Sequence, residues 1–194
     1  MRQDISSRIK ESITTKEKIL SDEVLIANIE KVTDIIISAF RSGHRLYLCG
    51  NGGSAADAQH IAAELSGRFY YDRKPLYAEA LHVNSSYVTA VANDYGYDVV
   101  YERMVDAAGQ AGDVLIGIST SGNSPNVVKA LQKAKVLNMH TVGMTGANGG
   151  VMKGICDILI NIPSKDTPRI QECHILVGHI LCELIEQTLF PKPK

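Results

Sequence analysis

No run of about 18 apolar residues occurs anywhere in this chain, so nothing in it reads as a membrane-spanning helix. It has no excess of charge of either sign: 20 Lys and Arg stand against 21 Asp and Glu, for a formal net charge of -1. A nucleic-acid footprint needs a clustered basic excess, and none is present. The cysteines are few, Cys49, Cys156, Cys173 and Cys182, and no two form a CxxC pair. Buried free thiols are therefore expected, in place of disulfides or a thiolate metal site. The opening MRQDISSRIKESITTKEK lacks the apolar stretch of a signal peptide, and a cytoplasmic location is expected. Neither a P-loop with Gly-Lys-Ser/Thr nor a GxGxxG fingerprint is spelled out. Repeats, low-complexity tracts and linkers are missing too, so one unit of 194 residues is expected, with 45% hydrophobic residues to build its core.

What is present alternates. Residues 2–20 and 22–42 read as helices, with Ser21 or Asp22 as the N-cap between them and Gly43 closing the second. Strands are then expected at RLYLCG, YAEALHV, DVLIGIS, HTVGMTG and DILINIP. Helices are expected at SAADAQHIAAEL, SSYVTAVAND, DVVYERMVDAAG, NSPNVVKALQKAKVL and 168–189, with a weak one at GVMKGIC. Ser124 before Pro125 gives a cap followed by a first helical turn. Strands that are apolar on both faces and spaced by helices indicate a covered parallel sheet. The expected fold is a three-layer αβα sandwich: a five-stranded parallel sheet in residues 43–194, plus an N-terminal helical extension in 1–42.

Two loops follow strands at the end of the sheet where open α/β folds bind ligands. The first is Gly50-Asn51-Gly52-Gly53-Ser54 and the second Ser119-Thr120-Ser121-Gly122-Asn123-Ser124. Glycines let backbone N–H groups approach an anion, and the helix N-terminus that follows adds positive potential. Four hydroxyls in six residues exceed what a turn requires, and they supply donors without net charge. A third turn, TGANGG at 145–150, reads as structural. His60 and Glu64, at i and i+4, share one face of the helix after the first cradle, a spacing that a surface hydrogen bond would also explain. The last helix carries Gln171, Glu172, His174 and His179; the two histidines point in different directions, so that one is available as a ligand while the other packs.

STSGNS after a hydrophobic strand, with CGNGGSAADAQH upstream and RIQECHILVGHILCELIE at the end, resembles the sugar isomerase (SIS) domain family. Within it the chain is similar throughout its length to the phosphoheptose isomerases. The serine loop alone marks only the broad fold; the distal His, Glu, Gln and His make the likeness specific. The resemblance implies an aldose–ketose isomerase that converts sedoheptulose 7-phosphate to D-glycero-D-manno-heptose 7-phosphate through an enediol(ate), toward ADP-heptose, lipopolysaccharide core or other surface heptose. It implies one zinc per subunit, held by His60, Glu64, Gln171 and His179, with Glu64 as base and His179 as its proton-transfer partner. It further implies substrate contacts from Asn51, Gly52, Gly53, Ser54, Glu64, Arg68, Asn93, Asp94, Gln171 and the phosphate anchor Ser119, Thr120, Ser121 and Ser124. A homotetramer with active sites near subunit interfaces is implied as well, with no nucleic-acid or membrane partner.

Some expectations remain open at this level. Gln171 and His179 are eight residues apart, so a regular helix separates their backbones by about 12 Å. Either Gln171 sits on an irregular first turn or neighbouring subunits share sites; sharing is the expectation carried forward. A carboxylate on zinc is a weaker base, so either Glu64 loosens from the ion or the metal is chiefly structural. The chain departs from the family pattern at Pro168, where relatives carry an aspartate; here Asp166 stands two residues earlier. The rival readings are a non-catalytic SIS protein that binds a replication initiator, an isomerase for another sugar phosphate, and a sugar-phosphate sensor.

Overall fold

The computed structural model describes residues 1–192. Helix α1 spans Arg2–Leu20 and α2 spans Glu23–Arg41, with Asp22 as the cap: its carboxylate accepts from Leu25 N at 3.0 Å. The α2 face carrying Leu25, Ile29, Val32, Ile36 and Ile37 is buried, as the helical spacing of its apolar residues requires. Five parallel strands follow: β1 Leu46–Gly50, β2 Ala78–Ala80, β3 Val114–Ile118, β4 His140–Thr145 and β5 Ile158–Asn161, in the order β2-β1-β3-β4-β5. Between and after them lie α3 Gly53–Ser66, α4 Ser85–Tyr95, α5 Val100–Ala108, α6 Pro125–Val136 and α7 Thr167–Leu189.

Alternation along β1 shows how the layers form. Leu46 and Leu48 join the core under α2, α3 and α7, whereas Tyr47 and Cys49 join the core under α5 and α6. Every residue of β1 and β3 is buried, the signature of a parallel sheet covered on both faces. The expected αβα sandwich and its five-stranded parallel sheet are what the chain forms. Cysteines 49, 173 and 182 are buried and Cys156 half-buried, all as free thiols.

Three elements are shorter than their sequence suggests. The strand expected over 77–83 pairs only through Ala80, because the chain must turn before Asn84, whose side chain accepts from Tyr87 N and caps α4. The helix expected from 98 opens instead as a 3-10 turn over Tyr97–Val99 before α5. The weak helix at 150–156 is one 3-10 turn, Val151–Gly154, entered through Gly150 at φ 53°.

His174 resolves the ambiguity between the two histidines of α7. It is fully buried, and its Nε2–H donates to Thr145 O at 3.1 Å, tying α7 to the end of β4. Burial holds its pKa down at about 4, against the partial support of that hydrogen bond. The folded chain therefore keeps this imidazole neutral while the unfolded chain takes up a proton near its usual pKa of about 6.5. The unfolded state binds the extra proton, so stability falls as pH drops from about 7 to 4, by a sum on the order of 3 kcal/mol. Urea unfolding across that range is expected to show this slope, and His174→Gln is expected to flatten it.

Candidate active site

Both cradles lie at the carboxyl end of the sheet. In the first, Gly52 is at φ 55° in the N-cap position before α3, and a Cβ on Gly53 would lie 2.6 Å from Gln171 Nε2. Only glycine leaves room there for the Gln171 amide to rest against the start of α3. Ser54 is buried. Asn51 exchanges two amide hydrogen bonds with the buried Asn126 of α6, both 2.9 Å, and accepts from the Tyr97 hydroxyl at 3.1 Å. Tyr101 donates to Gly50 O at 2.6 Å. The Asn51–Asn126 pair thus braces the first cradle against the helix that follows the second.

In the second cradle the hydroxyls converge. Ser119 Oγ lies 2.8 Å from Ser124 Oγ and 3.3 Å from Ser121 Oγ. Ser124 stands at the N-cap of α6 but does not cap it, because its hydroxyl is turned into this cluster. Helices α3, α6 and α7, which begin beside the cradles, lack a side-chain cap, as do α1 and α5, whereas α2 and α4 have one. Uncapped N-termini and grouped hydroxyls leave donors and positive potential for an anion. The 145–150 turn does more than connect elements: Gly146, Ala147 and Asn148 face Thr120, Ser121 and Lys165 across a cavity of about 280 Å³. Its backbone also packs on the serine loop, with Gly122 close against Gly149 O.

The second half of the site lies further along α3 and α7. These helices run side by side in the same direction: Gly53 meets Gln171, Ile61 meets Gly178, and His60 meets His179. His60 Nε2 is 3.1 Å from Glu64 Oε1 and 3.4 Å from His179 Nε2, and the two imidazole rings are 5.0 Å apart. Phe69 lies against the other side of His179, at 5.9 Å between ring centres. His60 and Glu64 remain 47% and 27% exposed, so the cluster opens to the outside of the chain. Seven residues of helical rise, roughly 10 Å, separate the Gly53–Gln171 contact from it. The structure thus joins His60, Glu64 and His179 and leaves Gln171 beside the first cradle.

The remaining expected residues are scattered. Asn93 and Asp94 are exposed at the end of α4 and bond each other at 2.9 Å. Arg68 is exposed. Sequence reasoning passed over Asp57, one turn before His60 on α3, whose Oδ2 is buried without a hydrogen-bond partner. Burial raises its carboxyl to about 6, with His60 opposing. Arg73 was passed over as well, although it makes more bonds than any other side chain of its loop. A cavity of about 640 Å³ lies apart from the cradles, a largely apolar groove between α2 and α7 lined in part by Ile26, Ile29, Ile37, Ile180 and Leu184.

The chain belongs to the SIS domain family, whose model matches residues 9–146. It is 52% identical over 190 residues to the phosphoheptose isomerase of Clostridium acetobutylicum, covering 98% of this chain and 97% of that one. Likewise it is 51% identical over 190 residues to that of Aneurinibacillus thermoaerophilus, covering 98% and 96%. The structure of the Neisseria gonorrhoeae phosphoheptose isomerase superposes with a TM-score of 0.90 at 40% identity, over 96% of this chain and 98% of the other. Within the SIS domain family the chain groups with the phosphoheptose isomerases.

Proposed function

We propose that this protein is the aldose–ketose isomerase that interconverts sedoheptulose 7-phosphate and D-glycero-D-manno-heptose 7-phosphate, supplying heptose for surface polysaccharide such as lipopolysaccharide. The observation that carries the reading is a hydroxyl-lined anion cradle together with a carboxylate and a second imidazole that both meet His60. The whole chain acts as one SIS unit with a helical extension over residues 1–42, and works in the cytoplasm. No helix among the described residues is long and apolar enough to cross a membrane.

The reaction moves a proton between C1 and C2. Ser119, Thr120, Ser121 and Ser124 hold the phosphate, so binding energy from one end of the sugar orients the other. Asn51, Gly52, Gly53, Ser54, Arg68, Asn93, Asp94 and Gln171 meet the sugar hydroxyls. Glu64 removes the C1 proton of the ketose and returns it to C2. His179 serves the oxygens, taking the proton from O1 and delivering one to O2. The product is the aldose phosphate.

The donor set also fits a divalent ion. A tetrahedral zinc with bonds of about 2.1 Å sets neighbouring ligand atoms about 3.4 Å apart, and the contacts of His60 Nε2 to Glu64 and His179 are 3.1 and 3.4 Å. Among the described residues of one chain, no group of three or more His, Cys, Asp or Glu is arranged so that it could hold a metal ion. A donor from outside the chain completes the set in this reading. His60, Glu64 and His179 of one chain and Gln171 of a neighbour would hold one zinc per subunit. A bound ion there would supply Lewis-acid polarisation of the carbonyl and positive charge for the oxyanion.

The reading includes a homotetramer, in which the cradles of one chain serve the acid–base cluster of another. Ile5, Ile9 and Ile13, at helical spacing on α1, are 55%, 56% and 49% exposed, a stripe suited to a second copy. Neither the balanced charge nor the site calls for a nucleic-acid or membrane partner. The test of the activity is incubation with sedoheptulose 7-phosphate in D2O, followed by NMR. The expected result is the seven-carbon aldose phosphate carrying deuterium at C2, with turnover of five- and six-carbon ketose phosphates far lower. Tight binding without exchange would reject catalysis.

A further inference from the structure

We propose that Arg73 and Glu186 form a buried clamp that positions Glu64 and His179, tying the end of α3, the loop after it and α7 into one unit. The clamp rests on the assignment of those two residues as the acid–base pair. Its side chains are 2% and 0% exposed, and Arg73 Nε meets Glu186 Oε2 at 3.0 Å. Each partner also reaches an element that carries one of the pair.

Arg73 holds the turn that bears Glu64. A helix leaves its last carbonyls without internal partners. Here the guanidinium takes them: Nη2 donates to Glu64 O at 2.9 Å, and Nη1 to Leu65 O at 2.7 Å and Gly67 O at 2.9 Å. The carbonyl of Glu64 itself is among them, so the direction in which its side chain leaves the helix is set from outside the helix.

Glu186 holds the wall behind His179. It lies two turns after His179 on the same face of α7. Its oxygens accept from Phe69 N at 2.9 Å and Tyr70 N at 2.7 Å. Phe69 is the residue whose ring lies against His179. Burial opposes ionisation of Glu186, but the two backbone N–H groups and Arg73 outweigh it and hold the carboxyl below its usual range. Buried ion pairs contribute little net stability relative to apolar residues of like volume, so what this one supplies is geometry.

The test compares Arg73→Lys, Glu186→Gln and Phe69→Leu with Glu64→Gln. kcat and KM for sedoheptulose 7-phosphate are measured well below each variant's Tm, alongside 15N spectra of the His179 imidazole. Arg73→Lys and Glu186→Gln are expected to lower kcat roughly 10- to 100-fold with KM nearly unchanged, the pattern of misplaced reacting groups. Lysine is not expected to rescue, because one ammonium cannot span four carbonyls and a carboxylate. Phe69→Leu is expected to lower kcat several-fold and shift the His179 resonances. A folded Arg73→Lys or Glu186→Gln with wild-type kcat overturns the clamp. Should both fail to fold, Phe69→Leu decides: unchanged kcat and unchanged His179 resonances overturn it. If Glu64→Gln is inactive while the clamp variants are normal, the clamp alone is wrong. If Glu64→Gln keeps full turnover, the acid–base assignment is wrong and the clamp falls with it.

Discussion

Glu64→Gln is expected to lower kcat by about 10²- to 10⁴-fold, the usual contribution of a general base, with a much smaller change in KM. The substitution keeps the size of the side chain and its place one turn from His60, and removes its capacity to take a proton together with the charge it would offer a bound ion. Glutamine still offers an oxygen toward His60 Nε2, so the contact now at 3.1 Å survives. The phosphate cradle is untouched because it lies at the N-terminus of α6, whereas Glu64 lies near the C-terminal end of α3. Steady-state kinetics with sedoheptulose 7-phosphate, together with C2 exchange in D2O, check the result. Exchange must fall with turnover, because both pass through the same proton abstraction. A variant that isomerises at the normal rate would require a different base.

Ser121→Asp is expected to lower kcat/KM by roughly a thousandfold. Its hydroxyl sits 3.3 Å from Ser119 and accepts from Asn123 N at 3.2 Å. Aspartate preserves that backbone hydrogen bond and so leaves the loop intact. It also puts a fixed negative charge among the hydroxyls. At about 4 Å from a phosphate charge and an effective dielectric near 20, the repulsion is about 4 kcal/mol, which corresponds to about three decades. Ser121→Asn, equal in shape and uncharged, is the control and is expected to lose far less. Inhibition by inorganic phosphate, measured in parallel, is expected to weaken in the aspartate variant only. Equal losses in both variants would mean that Ser121 matters for shape and not for holding an anion.

The sheet, the helices and both cradles were legible because they follow local rules. Periodicity marks α2, continuous apolar runs mark β1 and β3, and hydroxyl density marks the serine loop beyond the needs of a turn. The i, i+4 spacing of His60 and Glu64 predicted their contact. The spacing of Gln171 and His179 allowed either an irregular first turn or sites shared between subunits; in the folded chain Gln171 rests against Gly53 while His179 meets His60. What was illegible depends on side chains that cross from one loop or element to another. Asn126 reads as an ordinary residue of a helix's first turn, yet it is buried and paired with Asn51. The family pattern points to Arg68 and says nothing of Arg73, because only the fold of the 67–74 loop turns Arg73 inward against Glu186. Asp57 carries no signal in the sequence, since its environment is made by burial. The turn at 145–150 looked merely structural because its glycines permit a tight bend, and its place beside Thr120 and Ser121 is a consequence of strand order.

The account turns on one spatial claim: the cradle that holds the phosphate and the His60–Glu64–His179 cluster that serves the same sugar come from different chains. Mixing Glu64→Gln and Ser121→Asp subunits measures it directly. Each homo-oligomer is nearly inactive. If each site draws one half from each of two chains, random reassembly of equal amounts gives about one site in four with both halves intact, and about a quarter of the wild-type rate returns. If mixed oligomers, verified by mass spectrometry, are no more active than the two parents, each site is contained within one chain and the account is wrong.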